Sequence, residues 1–161
     1  MNYKRIEEME EKTMGYRSDV RIVTSKKGFE KLSEFVINSL KEQKINVKEY
    51  NLLEDLDIKV EGKEQIYLGW NYLKWYDGYP EVDAIMEGLN YLSENEYSYR
   101  YMIIGESYDD IEEQSYDGEK DKDVYLEYPS MIREFDDAYM EKLIEDKQLD
   151  NPEENKESID I

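Results

Sequence analysis

Val82, Ile85, Met86, Leu89 and Leu92 recur at helical spacing and form the cleanest apolar stripe in the chain. The stripe predicts a helix over 80–94, with Pro80 near its first turn and Asn95 as its stop. Phe29, Leu32, Val36 and Leu40 form a second stripe, flanked by Phe35 and Ile37. It predicts a helix over about 27–43, with Thr24 and Ser25 as N-cap candidates. The outer face of that helix carries Glu30, Lys31, Glu34, Lys41 and Glu42.

Elsewhere the period shortens to two. Loose alternation and β-branched residues after Arg17 predict a strand over about 18–24. Ile58 and Val60, then Ile66, Leu68, Trp70 and Tyr72, predict a hairpin of about 56–61 with 64–75, turning at Glu61-Gly62-Lys63. Alternation puts Ile66, Leu68, Trp70 and Tyr72 on one face. The change of face near Leu73 marks a bulge, with Gly69 as the candidate position. Tyr99, Tyr101, Ile103 and Ile104 predict a strand over 98–105. An extended piece at 108–117, a turn at Asp117-Gly118 and a last strand through Val124–Tyr128, closed by Pro129, make an acidic hairpin. Met131, Ile132, Phe135, Tyr139, Leu143 and Ile144 then follow a loose helical pattern to about residue 147.

The expected class is α+β. An antiparallel sheet with two helices follows a β-α-β-β-α-β (ferredoxin-like) order, then the acidic β-hairpin and a C-terminal helix. Both central helices belong on one face of the sheet, leaving the other open or covered by the terminal segment. Residues 1–13 read as an N-terminal extension, 14–147 as a single domain and 148–161 as a mobile acidic tail.

Charge changes this picture. The 161 residues carry 41 Asp and Glu against 21 Lys and Arg, a net charge of −20. From Glu106 to the end there are 21 acidic against 6 basic residues, so the excess sits in the last third. Tyr108, Tyr116, Tyr125, Tyr128 and Tyr139 are interleaved with it. Solvated acidic tails have few aromatics, so this segment reads as a folded acidic surface. The charge disfavours direct binding to nucleic acid or an anionic membrane and favours a basic protein.

The chain has no Cys and no His. Disulfides, zinc–thiolate sites, thiol nucleophiles and Ser–His or Cys–His dyads are excluded. The N-terminus is polar and no apolar run approaches the roughly 18 residues of a membrane span. A cytoplasmic protein is expected.

Met14-Gly15-Tyr16-Arg17-Ser18-Asp19-Val20 resembles the opening of small acidic proteins of bacteriophages and mobile elements. Trp70 and Trp75 before the second helix and the Tyr-Asp-Asp run at Tyr108 extend the resemblance to about Phe135. The resemblance implies a phage- or plasmid-encoded accessory protein acting in the bacterial host's cytoplasm, with residues 1–13 as an extension. It carries no defined activity, so no functional residue transfers with it.

The candidate partner-binding residues are Tyr108, Asp109, Asp110, Glu112, Glu113, Tyr116, Asp117, Glu119, Asp121, Asp123 and Glu127. Residues i and i+2 of an extended chain lie about 6.5–7 Å apart on one face. Phosphates of one DNA strand lie on the order of 7 Å apart. A row of carboxylates can therefore stand in for phosphates in a basic groove; the competing reading is a solvated edge that blocks aggregation. Trp75 and Tyr76 join the candidates as interface aromatics, with a core role equally open, whereas Trp70 reads as core.

Two metal patterns fail on spacing. Asp117-Gly118-Glu119-Lys120-Asp121-Lys122-Asp123 misplaces the glycine of a calcium loop and sets lysines among the ligands. Asp55 or Asp57 lies too close to Glu61-Gly62-Lys63 for a metal-nuclease arrangement. The expectation is a non-enzymatic inhibitor without cofactor, directed at the basic nucleic-acid-binding surface of a host defence protein such as a CRISPR effector or a restriction enzyme. A divalent-metal enzyme using Asp and Glu ligands, and an accessory protein charged for solubility, are the alternatives.

Overall fold

A computed structural model describes residues 15–131 and 134–149. The expected extension at 1–13 and most of the expected tail lie outside the described residues. The elements run β1 (Ser18–Ser25), α1 (Lys26–Glu42), α2 (Val47–Tyr50), β2 (Ile58–Glu61), β3 (Gln65–Leu73), α3 (Pro80–Glu94), β4 (Tyr99–Ile104), β5 (Ile111–Tyr116), α4 (Asp137–Met140) and α5 (Lys142–Leu149). Short 3-10 turns stand at Leu52–Glu54 and Glu119–Asp121.

The strands form one sheet in the order β2-β3-β1-β4-β5, and every neighbouring pair is antiparallel. The protein is α+β, as its periodicities predict. One face of the sheet is built from Val20, Ile22, Ile66, Leu68, Trp70, Tyr99 and Tyr101, with Leu32, Val36, Leu40, Ile85, Leu89 and Leu92 of α1 and α3 against it. Ser25 caps α1, its hydroxyl accepting from the Gly28 N–H at 2.9 Å. The two helices approach closely at Gly88, where an added Cβ would stand 2.5 Å from Leu32 Cδ1. Trp70 is a core residue whose indole N–H donates to the Leu52 carbonyl at 2.9 Å.

The second face is covered. Val23, Val60, Tyr67 and Met102 of the sheet pack against Leu126, Met140 and Leu143. Covering both faces explains why Tyr67 is as buried as its neighbours Ile66 and Leu68.

Three expectations are corrected. Residues 124–128 form no strand: the acidic strand β5 folds back on β4, from Tyr99–Tyr116 to Ile104–Ile111. The 124–128 segment is instead laid across the second face by the buried Leu126 side chain and by Gln65. The Gln65 amide donates to the Glu127 carbonyl at 3.1 Å and accepts from its N–H at 3.0 Å. The single terminal helix is two short ones, because a Met131–Phe135 bridge precedes a new N-cap at Asp136 and a turn at Glu141 breaks the run. The bulge near Leu73 is present, but not at Gly69. Ser18 pairs with Leu73 and Val20 with Trp70, so the extra residue lies at Asn71–Tyr72, where Tyr72 takes a φ of 55° and turns out to solvent.

Gly69 has another task. The Arg21 side chain lies flat over it, and an added Cβ would meet Arg21 Cδ at 2.6 Å. Among the described residues no helix is long and apolar enough to cross a membrane.

Candidate interaction surface

β5 is Ile-Glu-Glu-Gln-Ser-Tyr, and it occupies the end of the sheet. Glu112, Glu113, Gln114 and Ser115 are all exposed, as expected of a strand paired on one side only. Register assigns the side chains. Glu112, Gln114 and Tyr116 lie opposite Ile103, Tyr101 and Tyr99 on the helix-covered face; Ile111, Glu113 and Ser115 lie opposite Ile104, Met102 and Arg100 on the other. Each face of the strand therefore carries one carboxylate, not a row of them. The expected phosphate-like row is replaced by a pair of carboxylates straddling an edge.

The turn before β5 extends the charge. Glu106, Asp109 and Asp110 are exposed, and Tyr108 is 83% exposed. Tyr16 holds this turn in place: its hydroxyl donates to Asp110 Oδ2 and accepts from the Ser107 N–H at 3.0 Å. After β5, Asp117 receives Arg100 Nη2 at 2.7 Å, and Glu119 receives Lys122 Nζ at 3.3 Å. Asp123 and Tyr125 are exposed. The exposed acidic residues of 106–123 thus line the β5 edge of the sheet and the segments on either side of that strand.

Two predicted site residues serve the fold. Asp121 is only 5% exposed. Its carboxylate accepts from the Ser25 hydroxyl at 2.8 Å and from the Ser98 N–H at 2.9 Å, tying the N-terminus of α1 to the start of β4. Asp121→Ala leaves both donors without that acceptor and is expected to cost about 1–3 kcal/mol, with Asp121→Asn costing less. Chemical denaturation measures it; an alanine variant with the wild-type midpoint would remove Asp121 from the scaffold. Glu127 is partly covered and sits 2.6 Å from Lys142 Nζ, with the Tyr139 hydroxyl donating to it at 2.9 Å. Lys142 pulls the Glu127 carboxyl below its usual range, and Glu127 in turn raises the ammonium.

Trp75 and Tyr76 are half-buried at the margin of the helix-covered core. Trp75 packs on Trp70 with ring centroids 5.3 Å apart, and the Tyr76 hydroxyl accepts from the Tyr16 N–H at 2.8 Å. Both make contacts within the fold. Burial pushes the nearby Tyr101 phenol up, against a hydrogen bond with Trp75.

A polar cluster on the second face has no counterpart in the expected site. Arg21 is 2% exposed and makes a two-point pair with Asp137, Nε to Oδ1 at 3.0 Å and Nη2 to Oδ2 at 3.0 Å. It also donates to the Trp70 carbonyl at 3.1 Å and to Asn71 Oδ1 at 2.7 Å, and lies 4.7 Å from the Phe135 ring centre. The Tyr67 hydroxyl donates to Asp137 Oδ1 at 2.6 Å. Burial raises the Tyr67 phenol and its bond to Asp137 adds to this; burial opposes the Arg21 charge, and Asp137 and Tyr67 outweigh it. A lone arginine inside an apolar strand, Val20-Arg21-Ile22-Val23, was the available signal.

Among the described residues no three Asp or Glu side chains are grouped to hold a metal ion. No family model matches the chain, and no curated protein or solved structure is found to be similar to it.

Proposed function

We propose that this protein is a non-enzymatic inhibitor that occupies the basic nucleic-acid-binding surface of another protein through its acidic edge. One observation carries the reading: β5 lies at the end of the sheet with a carboxylate on each face and acidic turns at both ends. A six-residue strand spans about 20 Å, and the exposed carboxylates of Asp109, Glu112, Glu113 and Asp117 are spread along an edge of about that length. The exposed Tyr108 and Tyr125 add contact area at low conformational cost. A CRISPR effector or a restriction enzyme in the bacterial cytoplasm has the surface this edge fits, and the resemblance to phage and mobile-element proteins points the same way.

We also infer that β1, α1, β2, β3, α3 and β4 form a ferredoxin-like unit. The β2-β3-β1-β4 order, antiparallel at each step, supports this. The acidic strand is then an addition at the β4 edge of that unit.

Competition with duplex DNA for purified restriction enzymes and CRISPR effectors tests the function. The complex with the target, measured without DNA, should weaken as salt rises, because interfacial charges are screened over about 8–10 Å. Reversing Asp109, Glu112, Glu113 and Asp123 to Lys should reduce displacement on the order of a hundredfold. Asp110 is left intact because it anchors Tyr16. Reversing Glu30, Glu34 and Glu42, exposed on α1, is the control and should matter less. If the first set displaces DNA as well as wild type, the acidic edge is not the binding surface.

A further inference from the structure

The backbone of β5 offers more than charge. In an antiparallel ladder, alternate residues turn their N–H and C=O groups toward the neighbouring strand and the rest turn away. The Gly105 N–H donates to the Asp110 carbonyl at 2.8 Å, and the pairing continues in one register to Tyr99–Tyr116. Alternation from that bond turns Glu112, Gln114 and Tyr116 toward β4. It turns the N–H and C=O of Glu113 and Ser115, and the carbonyl of Ile111, outward. The Ile111 N–H is taken by the Asp109 carbonyl at 3.0 Å. An outward row of this kind is a template for another strand. The opposite edge differs: β2 has four residues, and Leu143 of α5 packs against Gly62 beside it.

Charge selects the occupant. The strand holds no Lys, Arg or Pro, and Glu112 and Glu113 stand on either side of the outward groups. A second copy would bring its own net charge of −20 to the same edge, so self-pairing is opposed. A strand bearing Lys or Arg on both faces sets a cation beside each carboxylate while its backbone pairs with Glu113 and Ser115.

We propose that β5 binds an extended basic segment of its protein partner by strand addition, with backbone pairing along Ile111–Tyr116 and Lys or Arg side chains on Glu112 and Glu113. This rests on the acidic-edge reading above and adds a directional element to it. Electrostatic mimicry alone needs no backbone bonds, whereas strand addition fixes the partner's register.

The probe is an acetylated, amidated peptide of about eight residues with alternating Thr-Thr and Lys-Lys pairs, long enough to span the strand. Its control has the same composition and charge but is N-methylated at every residue, which removes the donors on both edges. The unmethylated peptide should bind about tenfold or more tightly than the control. Bound, it should slow hydrogen exchange at the Glu113 and Ser115 amides. Ser115→Pro removes one outward N–H without changing charge or the β4 ladder, and a proline is tolerated where the N–H faces solvent. It should weaken the unmethylated peptide and leave the control peptide unaffected. Equal binding of the two peptides, with both amides exchanging as in the free protein, overturns strand addition while the acidic-edge reading stands. Binding of neither peptide, or binding unaffected by Glu112→Lys with Glu113→Lys, overturns both.

Discussion

Arg21→Met is expected to destabilise the protein by about 3–5 kcal/mol, the range for breaking a buried ion pair by removing one partner. The guanidinium is almost fully buried, and its loss removes both bonds to Asp137 together with those to Asn71 and the Trp70 carbonyl. It also leaves unfilled the space over Gly69. Asp137 belongs to α4, so the pair fastens the covering segment to the middle of the sheet. Asp137→Ala should cost at least as much, because it strands the buried Arg21 guanidinium without its carboxylate, whereas Arg21→Met leaves a carboxylate that is about one-third exposed and can be hydrated. The two changes together should cost less than their sum, since both remove one interaction. Urea denaturation of the four proteins gives the cycle. A loss below about 0.5 kcal/mol for Arg21→Met would mean that the cluster merely fills space.

Leu89→Ala is expected to cost about 2–5 kcal/mol. Leu89 is 1% exposed and stands in the layer between α3 and the sheet. Its neighbour Gly88 already brings α1 into contact, so the helices have little room to close further over a cavity. Met86, on the same stripe but half-buried, is the comparison and should cost less. Equal, small losses at both positions would move the stripe out of the core and undo the packing of α3 on the sheet.

The stripe that carries Leu89 shows why the central elements were legible. Helical spacing of Val82, Ile85, Leu89 and Leu92 bounds a helix that runs from Pro80 to Glu94, as expected. The first helix and the four central strands also stand where their periods place them, within one or two residues for most ends. Each helix turns one face to the core and the other to water, and that contrast writes itself into the order of residues. The central strands β1, β3 and β4 are covered on both faces and are marked instead by short runs of β-branched and aromatic residues. The charge of the last third and its exposure at 106–117 were legible for the same reason, because uncompensated carboxylates stay in solvent.

Position relative to other strands left no such mark. Nothing local distinguishes Asp121, which is buried and anchors Ser25, from Asp123, which is exposed, although they are two residues apart in one acidic run. Their difference arises from the distant Ser25 and Ser98 donors. The 124–128 segment has the composition of a strand, yet its pairing partner is the side chain of Gln65 and its place is across the sheet. Alternation could not say whether Glu112 and Glu113 form a row or straddle an edge; that depended on which strand β5 joined. Sequence by itself determined the two long helices, the four central strands and the sign and location of the charge, because these are properties of neighbouring residues. Only the tertiary structure decided which carboxylates are scaffold, that Arg21 lies under α4, and that β5 ends the sheet with its outer backbone groups turned away from it, because each requires contacts between residues far apart in the chain.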